Sequence, residues 1–214
     1  MYKKKPFFIV FEGVEGCGKS YQSKKLFNKL KKKFPVVLTR EPGGTKSAEL
    51  IRKLILDDYF KKNDKDKFDK YTDTLLYLAA RNEHVKTKIK PALKKKKIVI
   101  CDRFTDSTLA YQVYGKKVKF NFINHIHKVI LQKTKPNMVF ILKVSQGSAQ
   151  SRLIKRKTRN RYDNFSRNFY KKVQNYFLKI AKNKKNYFVL DSSLNTKSLE
   201  DKIFDIVIKK IKNG

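Results

Sequence analysis

The segment that most restricts the fold of this chain is a glycine-rich loop near its start. It reads Gly13-Val-Glu-Gly-Cys-Gly-Lys-Ser20, follows a short apolar run at residues 7–11, and precedes a stretch of helical periodicity at residues 21–33. The pattern G-x-x-x-x-G-K-[ST] between a strand and a helix lets successive backbone N–H groups surround the phosphates of a nucleotide. The sequence therefore predicts a P-loop that a buried strand delivers to the start of a helix.

Each residue type in this loop has a chemical reason to be there. The Lys19 ammonium can reach the β- and γ-phosphate oxygens of a nucleoside triphosphate, and the Ser20 hydroxyl can ligate Mg²⁺. We therefore expect ATP with Mg²⁺ as the bound species. The predicted ATP-binding residues are Gly13, Val14, Glu15, Gly16, Cys17, Gly18, Lys19 and Ser20.

Short apolar runs and helical segments alternate along the rest of the chain. The runs are continuous rather than alternating, which is typical of strands buried on both faces of a parallel sheet. They lie at residues 7–11, 36–38, 98–101, 138–142 and 187–190, and the helical segments lie at 21–33, 72–90, 120–132, 164–182 and 198–212. This alternation predicts a doubly wound α/β fold, and without a linker we expect residues 1–214 to form one domain.

The formal net charge of +35 would suit a nucleic-acid-binding protein. The lysines are dispersed in short runs, however, so we expect no specific nucleic-acid site. Arginine is the more informative cation, because only its guanidinium is a rigid bidentate donor to phosphate. Four of the nine arginines, Arg152, Arg156, Arg159 and Arg161, lie in one short segment, which is either a solvated loop or a phosphate-clamping lid.

Other features concern the compartment. The longest apolar stretch near the start is far shorter than the roughly 20 residues that span a bilayer, and it lacks the features of a secretory signal. Cys17 and Cys101 have no disulfide-scaffold spacing, which fits a reducing environment. We expect a soluble, cytoplasmic protein without membrane contact.

The class of P-loop protein depends on residues outside the loop. Asn28-Lys29 is followed by Leu30-Lys31, so this is not the guanine signature N-K-x-D, and the third apolar run leads into Asp102-Arg103 rather than a D-x-x-G switch. These observations disfavour a GTPase, and the length leaves little room for the added domains of mechanical ATPases. A small-molecule kinase remains, and a nucleic-acid-binding P-loop protein is the alternative from another class.

Three further blocks closely resemble those of bacterial-type thymidylate kinases. They are Thr39-Arg-Glu-Pro-Gly-Gly-Thr45, Leu78-Ala-Ala-Arg81, and Asp102-Arg103 with Ser107 and Ala110-Tyr-Gln112. The resemblance implies a three-layer P-loop kinase fold, in which helices flank a five-stranded parallel sheet and a mobile lid lies at about residues 150–163. It also implies transfer of the ATP γ-phosphoryl group to dTMP, and usually a homodimer. Another nucleoside or nucleotide kinase of this fold is the nearest alternative.

Phosphoryl transfer needs positive charge fixed around both phosphates. Lys19, Arg40 and Arg103 can supply it, and Asp102 can hold Mg²⁺ together with Ser20 or cap the segment that follows it. Some members of the family carry an arginine inside the P-loop, where this chain has Gly16. The resemblance therefore implies that lid arginines complete the set, and the predicted catalytic residues are Lys19, Arg103, Arg156 and Arg161.

The resemblance also assigns the site of the acceptor nucleotide. Tyr77 and Arg81 share one helix face. By the resemblance, Tyr77 would stack on thymine and Arg81 would donate to the 4-carbonyl. The alternative for Tyr77 is that it is simply a core residue. Glu15 would meet the 3′-hydroxyl of the sugar, and Tyr111 would exclude a 2′-hydroxyl. The predicted acceptor set is Glu15, Arg40, Pro42, Tyr77, Arg81, Arg103, Ser107, Tyr111 and Gln112.

Overall fold

The computed structural model describes residues 5–57, 67–156, 166–182, 184–193 and 196–213. Within these ranges, five parallel strands form one sheet in the order β2-β3-β1-β4-β5, which confirms the predicted α/β architecture. The strands are β1 (Phe7–Glu12), β2 (Val36–Arg40), β3 (Ile98–Asp102), β4 (Met138–Lys143) and β5 (Tyr187–Asp191). Each strand runs further toward its carboxyl end than predicted, because its last residue is charged and lies outside the apolar run.

Helices cover both faces of the sheet. They are α1 (Lys19–Leu30), α2 (Lys46–Leu56), α3 (Lys70–His84), α4 (Lys90–Lys94), α5 (Thr105–Thr108), α6 (Phe120–Leu131), α7 (Gln146–Ile154), α8 (Arg167–Ala181) and α9 (Lys197–Asn213). A π-helical segment, Val85–Ile89, joins α3 to α4, and another, Leu109–Gly115, continues α5. None of the helices in the described ranges is long and apolar enough to cross a bilayer.

The sequence prediction found α1, α3, α6, α8 and α9 but missed α2, α5 and α7, and its segment 72–90 reached only the first residue of α4. Helix α7 has no buried residue, so it carries little of the apolar periodicity on which a helix prediction depends. Helix α5 is a single turn that passes directly into a π-helical segment. Helices α5 and α7 therefore lack the apolar periodicity that a sequence prediction uses.

The core lies around the three central strands. β1, β3 and β4 are buried almost throughout, whereas β2 and β5 are half-buried edge strands, so the expectation of five strands buried on both faces was wrong for these two. Phe8 packs edge-to-face on Phe104 at 5.0 Å, and Phe11 stacks on Phe140 at 5.2 Å, measured between ring centroids. Burial of each such ring stabilises the fold by about 1.5–3 kcal/mol.

The sheet order determines where a ligand can bind. β1 lies between β3 and β4, and Phe11 of β1 is in register with Asp102 of β3. The loops that follow these two strands therefore emerge side by side at the carboxyl edge, where α/β proteins bind their ligands. This pairing brings the P-loop next to Asp102 and Arg103.

Candidate active site

The P-loop, residues 13–20, follows β1 and ends in the first turn of α1. Gly18 caps α1 with a left-handed backbone, φ 88°. The Lys19 ammonium is buried inside the loop and donates to the carbonyl oxygen of Val14 at 2.7 Å. The loop therefore holds its cation by a main-chain contact, next to the space that phosphates would occupy.

Gly16 is held by two constraints. Its φ is +73°, and a Cβ atom at this position would lie 2.6 Å from the backbone oxygen of Ala149. A side chain here would be strained and would collide with α7. The structure thus gives a physical reason why this chain has no arginine inside its P-loop.

A hydroxyl and a carboxylate meet beside the loop. The Ser20 hydroxyl donates to Oδ2 of Asp102, and the other oxygen, Oδ1, is buried without a hydrogen-bond partner among the described residues. Among the described residues, no group of three or more His, Cys, Asp or Glu side chains is arranged so that it could hold a metal ion. The local oxygens are therefore few, as in Mg²⁺ sites that the substrate phosphates complete.

Arg103 links the loop after β3 to the P-loop. Its backbone has φ 71°, and its guanidinium donates to the Gly13 carbonyl at 3.0 Å, to the Ser107 hydroxyl at 3.0 Å and to Glu15 at 2.7 Å. The guanidinium also lies 5.2 Å from the ring centroid of Tyr111. Arg103 therefore has a fixed position between the two sides of the site.

Glu15 is a P-loop residue in sequence, but its side chain contacts residues outside the loop. Its carboxylate accepts hydrogen bonds from Arg103 and from the Tyr111 hydroxyl. Burial and the neighbouring Glu15 charge raise the pKa of Tyr111 well above its usual value, so the phenol remains a donor. The carboxylate thus points toward the loop after β3, on the side predicted for the acceptor.

Arg81 lies at the centre of a buried hydrogen-bond network. With only 3% of its surface exposed, it donates to Glu41 at 2.8 Å, Thr108 at 2.7 Å, His127 at 2.8 Å and the Phe104 carbonyl at 2.9 Å. Burial and the Arg81 charge lower the pKa of His127 to about 3, so this ring accepts as neutral imidazole. These partners engage all three guanidinium nitrogens, and a thymine carbonyl would have to share one of them. The predicted base contact stays a prediction.

Glu41 is the acidic member of this network. Burial raises its pKa, but the Arg81 charge and the hydrogen bond with His84 more than offset this effect and hold the pKa below its ordinary value. His84 is fully buried between Glu41, at 3.0 Å, and Thr39, at 2.6 Å. The network ties α3 to the loop after β2.

A cavity of about 470 Å³ opens between the P-loop and the loop after β3. We define its acceptor wall as Tyr77, Arg81, Arg103, Ser107, Tyr111 and Gln112. The cavity brings together most of the predicted site, whereas Gly13, Val14 and Cys17 lie outside its lining. Of the predicted residues it is lined by Glu15, Gly16, Gly18, Lys19, Ser20, Arg40, Pro42, Tyr77, Arg81, Asp102, Arg103, Ser107, Tyr111, Gln112 and Arg156.

Three lining residues differ in how firmly they are held. Tyr77 is half-buried: it packs against the core and also lines the cavity. Its position is compatible with both predicted roles, core packing and stacking on the base. Gln112 is almost fully buried, and its Nε2 has no hydrogen-bond partner among the described residues. Arg40 is exposed and paired with Glu49 at 3.0–3.1 Å. Gln112 is thus a buried donor at the edge of an open cavity.

Sequence reasoning did not single out Arg52, and it grouped Arg152 with the candidate lid arginines rather than with the P-loop. Arg52 lines the cavity and donates to the Pro42 carbonyl at 2.6 Å. Arg152 donates to the Gly16 carbonyl at 3.2 Å and to the Ser192 carbonyl at 2.7 Å, so it braces the P-loop. The scarcity of arginine in this lysine-rich chain was the available signal for Arg52.

The predicted lid divides into two parts. Residues 150–154 form the last part of α7, and Arg156 is exposed just beyond it at the cavity. Arg159 and Arg161 lie outside the described residues. The assignment of Arg161 to catalysis therefore stays a prediction.

A parallel sheet in this order, with a P-loop after its central strand and Lys19, Ser20, Asp102 and Arg103 around one cavity, defines a P-loop kinase. The comparisons narrow the class. A sequence model of the family "Thymidylate kinase" matches residues 11–203, so the chain belongs to the thymidylate kinase family.

Individual relatives agree with this assignment. A thymidylate kinase of Aster yellows witches'-broom phytoplasma (strain AYWB) is 41% identical over 209 residues, which cover 96% of each chain. One of Wolbachia pipientis subsp. Culex pipiens (strain wPip) is 40% identical over 211 residues, covering 96% of this chain and 97% of the relative. The crystal structure of thymidylate kinase from Ehrlichia chaffeensis matches with a TM-score of 0.73 and 32% identity, covering 97% of this chain and 99% of that chain. The predicted resemblance is thereby confirmed over nearly the whole chain.

Proposed function

We propose how this site divides the work of transferring the γ-phosphoryl group of ATP to dTMP, the reaction that family membership assigns to this chain. The observation that carries the proposal is the cavity of about 470 Å³, which has the P-loop on one side and the acceptor wall on the other. Glu15 and Arg103 form an ion pair across it at 2.7 Å. Donor and acceptor phosphates bound on the two sides would meet between them.

The P-loop takes the donor. Its backbone N–H groups and the positive end of the α1 dipole bind the ATP phosphates. The Lys19 ammonium, held on the Val14 carbonyl, neutralises charge on the β- and γ-phosphates. Protein groups positioned in this way supply electrostatic stabilisation, and the transfer needs little covalent chemistry from the protein.

The residues present fit Mg²⁺. The Ser20 hydroxyl lies beside Asp102, whose Oδ1 is buried and lacks a hydrogen-bond partner among the described residues. Hard oxygens of this kind, with phosphate oxygens and water, are the ligands that Mg²⁺ takes. When bound, Mg²⁺ neutralises the charge that develops on the bridging phosphate oxygens. Ser20 and Asp102 would hold the metal, with Asp102 acting as a direct ligand or through a bound water.

The acceptor wall takes dTMP. Arg103 binds its phosphate with help from Arg40, and the Tyr77 ring stacks on thymine. Gln112 donates to a base carbonyl, which would satisfy its buried Nε2. The paired Glu15 and Tyr111 side chains face the sugar, with Glu15 on the 3′-hydroxyl.

Pro42 and Arg81 complete the pocket for the base. Pro42 closes the pocket on the side of the loop after β2, where Arg52 fixes its carbonyl. Arg81 reaches the 4-carbonyl by sharing a donor that now binds Thr108 or His127.

The positive charge that stabilises the migrating phosphoryl group comes from the lid segment. Arg156 borders the cavity at the end of α7, and Arg161 follows five residues later in the sequence. Because Gly16 leaves no room for a side chain in the P-loop, these arginines supply the positive charge that closes over the transferred group. Such contacts, formed mainly in the transition state, raise kcat more than they lower KM.

We also propose a homodimer that pairs through helices α2, α3 and α6. α3 packs against both other helices, and large apolar side chains on these helices are exposed: Leu50 by 66%, Leu54 by 45%, Leu75 by 47% and Val129 by 66%. Light scattering should give a dimer for the wild type and a monomer for Leu50→Glu, whereas Val189→Glu on β5 should stay dimeric. A wild-type monomer at all concentrations would contradict the proposal.

The reaction is tested by a coupled assay of ADP formation with dTMP, dUMP, dCMP, AMP and thymidine as acceptors. We expect the highest kcat/KM for dTMP. A higher kcat/KM for AMP or thymidine would show that the chain is a kinase for that acceptor instead. A DNA-binding curve titrated with salt tests the nucleic-acid alternative, and we expect only weak binding that salt abolishes.

A further inference from the structure

Glu12 is the last residue of β1 and directly precedes the P-loop, yet the P-loop pattern does not include it. Its side chain is fully buried, with 0% of its surface exposed. A buried carboxylate costs free energy unless hydrogen bonds compensate for its lost hydration. The neighbouring β1 residues are apolar and pack without this cost, so a glutamate at this position needs a reason.

Both oxygens of Glu12 bind the chain that follows Arg103. Oε1 accepts from the backbone N–H groups of Phe104 at 2.8 Å and Ser107 at 3.2 Å, and Oε2 accepts from the Ser107 hydroxyl at 2.5 Å. These groups lie at the start of α5, whose own N-cap residue makes no side-chain hydrogen bond. Glu12 therefore caps this helix. From the sequence, Asp102 was a candidate for this role.

Ser107 connects Glu12 to Arg103. Its hydroxyl oxygen accepts from the Arg103 guanidinium at 3.0 Å. Arg103 itself has φ 71°, a backbone conformation that residues with side chains seldom adopt. This turn directs the guanidinium back toward Glu15 and the Gly13 carbonyl, so whatever holds the turn also sets the direction of the guanidinium.

We propose that Glu12 is a positioning residue for phosphoryl transfer, which holds the turn from Arg103 to Ser107 against β1. The same strand carries the P-loop, so β1 fixes the distance between the donor side and the Arg103 guanidinium. This inference rests on the proposed function, in which Arg103 binds the acceptor phosphate.

The electrostatics of Glu12 agree with this geometry. Burial and the nearby Asp106 charge raise its pKa to about 8, while the Ser107 hydrogen bond, the Arg103 charge and the Phe104 N–H favour the carboxylate. The groups that Glu12 holds in place are thus the groups that oppose its protonation. Burial outweighs them, so the pKa of Glu12 stays above its ordinary value, while the hydrogen bonds hold the side chain against the turn.

Glu12→Gln tests the proposal with little change in volume. The amide keeps one oxygen for the Phe104 and Ser107 N–H groups but presents NH₂ where the Ser107 hydroxyl now donates. Because small misplacements of a catalytic group are costly, we expect kcat to fall about 10- to 100-fold, with KM for ATP near its wild-type value. A merely structural role would lower stability and leave kcat near normal.

Asn137→Ala is the matched control. Asn137 Oδ1 accepts from the Phe8 backbone N–H at 2.7 Å, at the amino end of the same strand. Its loss removes a side-chain acceptor for β1 far from the cavity, and kcat should stay at the wild-type value.

A double-mutant cycle with Arg103 shows whether the two residues act together. If Glu12 acts through Arg103, then Glu12→Gln should lower kcat much less in an Arg103→Ala background than in the wild type. Multiplicative losses would overturn the proposal. Ser107→Ala serves if Glu12→Gln fails to fold, because it breaks the same connection without altering the buried carboxyl group, and it should also lower kcat without raising KM for ATP.

The outcomes separate this inference from the proposed function. Wild-type kcat in Glu12→Gln and Ser107→Ala, in an enzyme that turns over dTMP, would overturn the positioning role alone. A wild-type enzyme without dTMP-dependent turnover would overturn the proposed function and the inference with it.

Discussion

The P-loop and the acceptor wall hold their groups in different ways. The P-loop depends on main-chain conformation: glycines with positive φ shape it, and Lys19 rests on the Val14 carbonyl. The acceptor wall depends on ion pairs and hydrogen bonds between distant side chains, such as Arg81 with Glu41 and Arg103 with Glu15. A main-chain cradle can be read from a local pattern, whereas a wall of long-range contacts requires the fold.

The largest expected effect lies outside both regions, in the lid arginines. Arg156→Ala or Arg161→Ala should lower the single-turnover rate about 10³-fold at saturating ATP and dTMP, the lower end of what an arginine finger contributes. KM for ATP should rise much less, because the contact forms mainly in the transition state. Near-normal transfer in both variants would show that Lys19 and Arg103 suffice, and that the two regions hold the complete site.

Glu41→Gln tests the side-chain basis of the acceptor wall. Glu41 and Arg81 form a buried ion pair at 2.7 Å, and loss of one partner of such a pair costs about 3–5 kcal/mol of stability. Urea denaturation should show a loss in this range, since the amide leaves the Arg81 charge buried without a counterion. A loss below about 1 kcal/mol would mean that the wall does not depend on this pair.

Gly16→Ala tests the main-chain basis of the P-loop. The added Cβ would lie 2.6 Å from the Ala149 oxygen at a positive φ, and strain of about 1–3 kcal/mol at this site should weaken ATP binding about 10- to 100-fold. Gly147→Ala is the control, because a Cβ atom at that position would have no neighbouring atom within 4 Å. Calorimetric titration with a non-hydrolysable ATP analogue measures both, and equal affinities for the two variants would contradict the account.

These contrasts explain what the sequence could predict. The P-loop, the five strands and the order of the blocks follow from local patterns, and all of them were found. Glu12 and Ser107 are 95 positions apart, and no local spacing connects them. Helix α7 was missed because it buries no residue, and the partners that occupy Arg81 come from three other segments of the chain.

The stability of the wild type should depend on pH through Glu12. Its pKa is raised from 4.5 to about 8 in the folded protein, so between these values the folded state binds more protons than the unfolded state. Stability from this group is complete below pH 4.5 and is lost as the pH rises toward 8, with a limiting slope of about 1.4 kcal/mol per pH unit. Glu12→Gln should lose this slope. The stability of this variant relative to the wild type should therefore increase between pH 5 and pH 8. Parallel curves for the two proteins would contradict the assignment.

Tyr111→Ala should have the smallest effect. Tyr111 is buried, and its hydroxyl binds Glu15. The family resemblance implies that its ring crowds a ribose 2′-hydroxyl. The ratio of kcat/KM for dTMP to that for ribothymidine monophosphate should fall about tenfold, a typical contribution of one pocket contact to discrimination. An unchanged ratio would leave Tyr111 with a structural role only.

Two adjacent residues test the central claim most directly, because Gly16 shapes the donor cradle while its neighbour Glu15 faces the acceptor wall. The measurement is a calorimetric titration of the ATP analogue and of dTMP onto Gly16→Ala and Glu15→Gln. We predict that Gly16→Ala weakens only ATP binding and that Glu15→Gln weakens only dTMP binding, by about tenfold for the loss of a charged hydrogen bond. Equal losses for both ligands in both variants would contradict the division of the site into a donor side and an acceptor side.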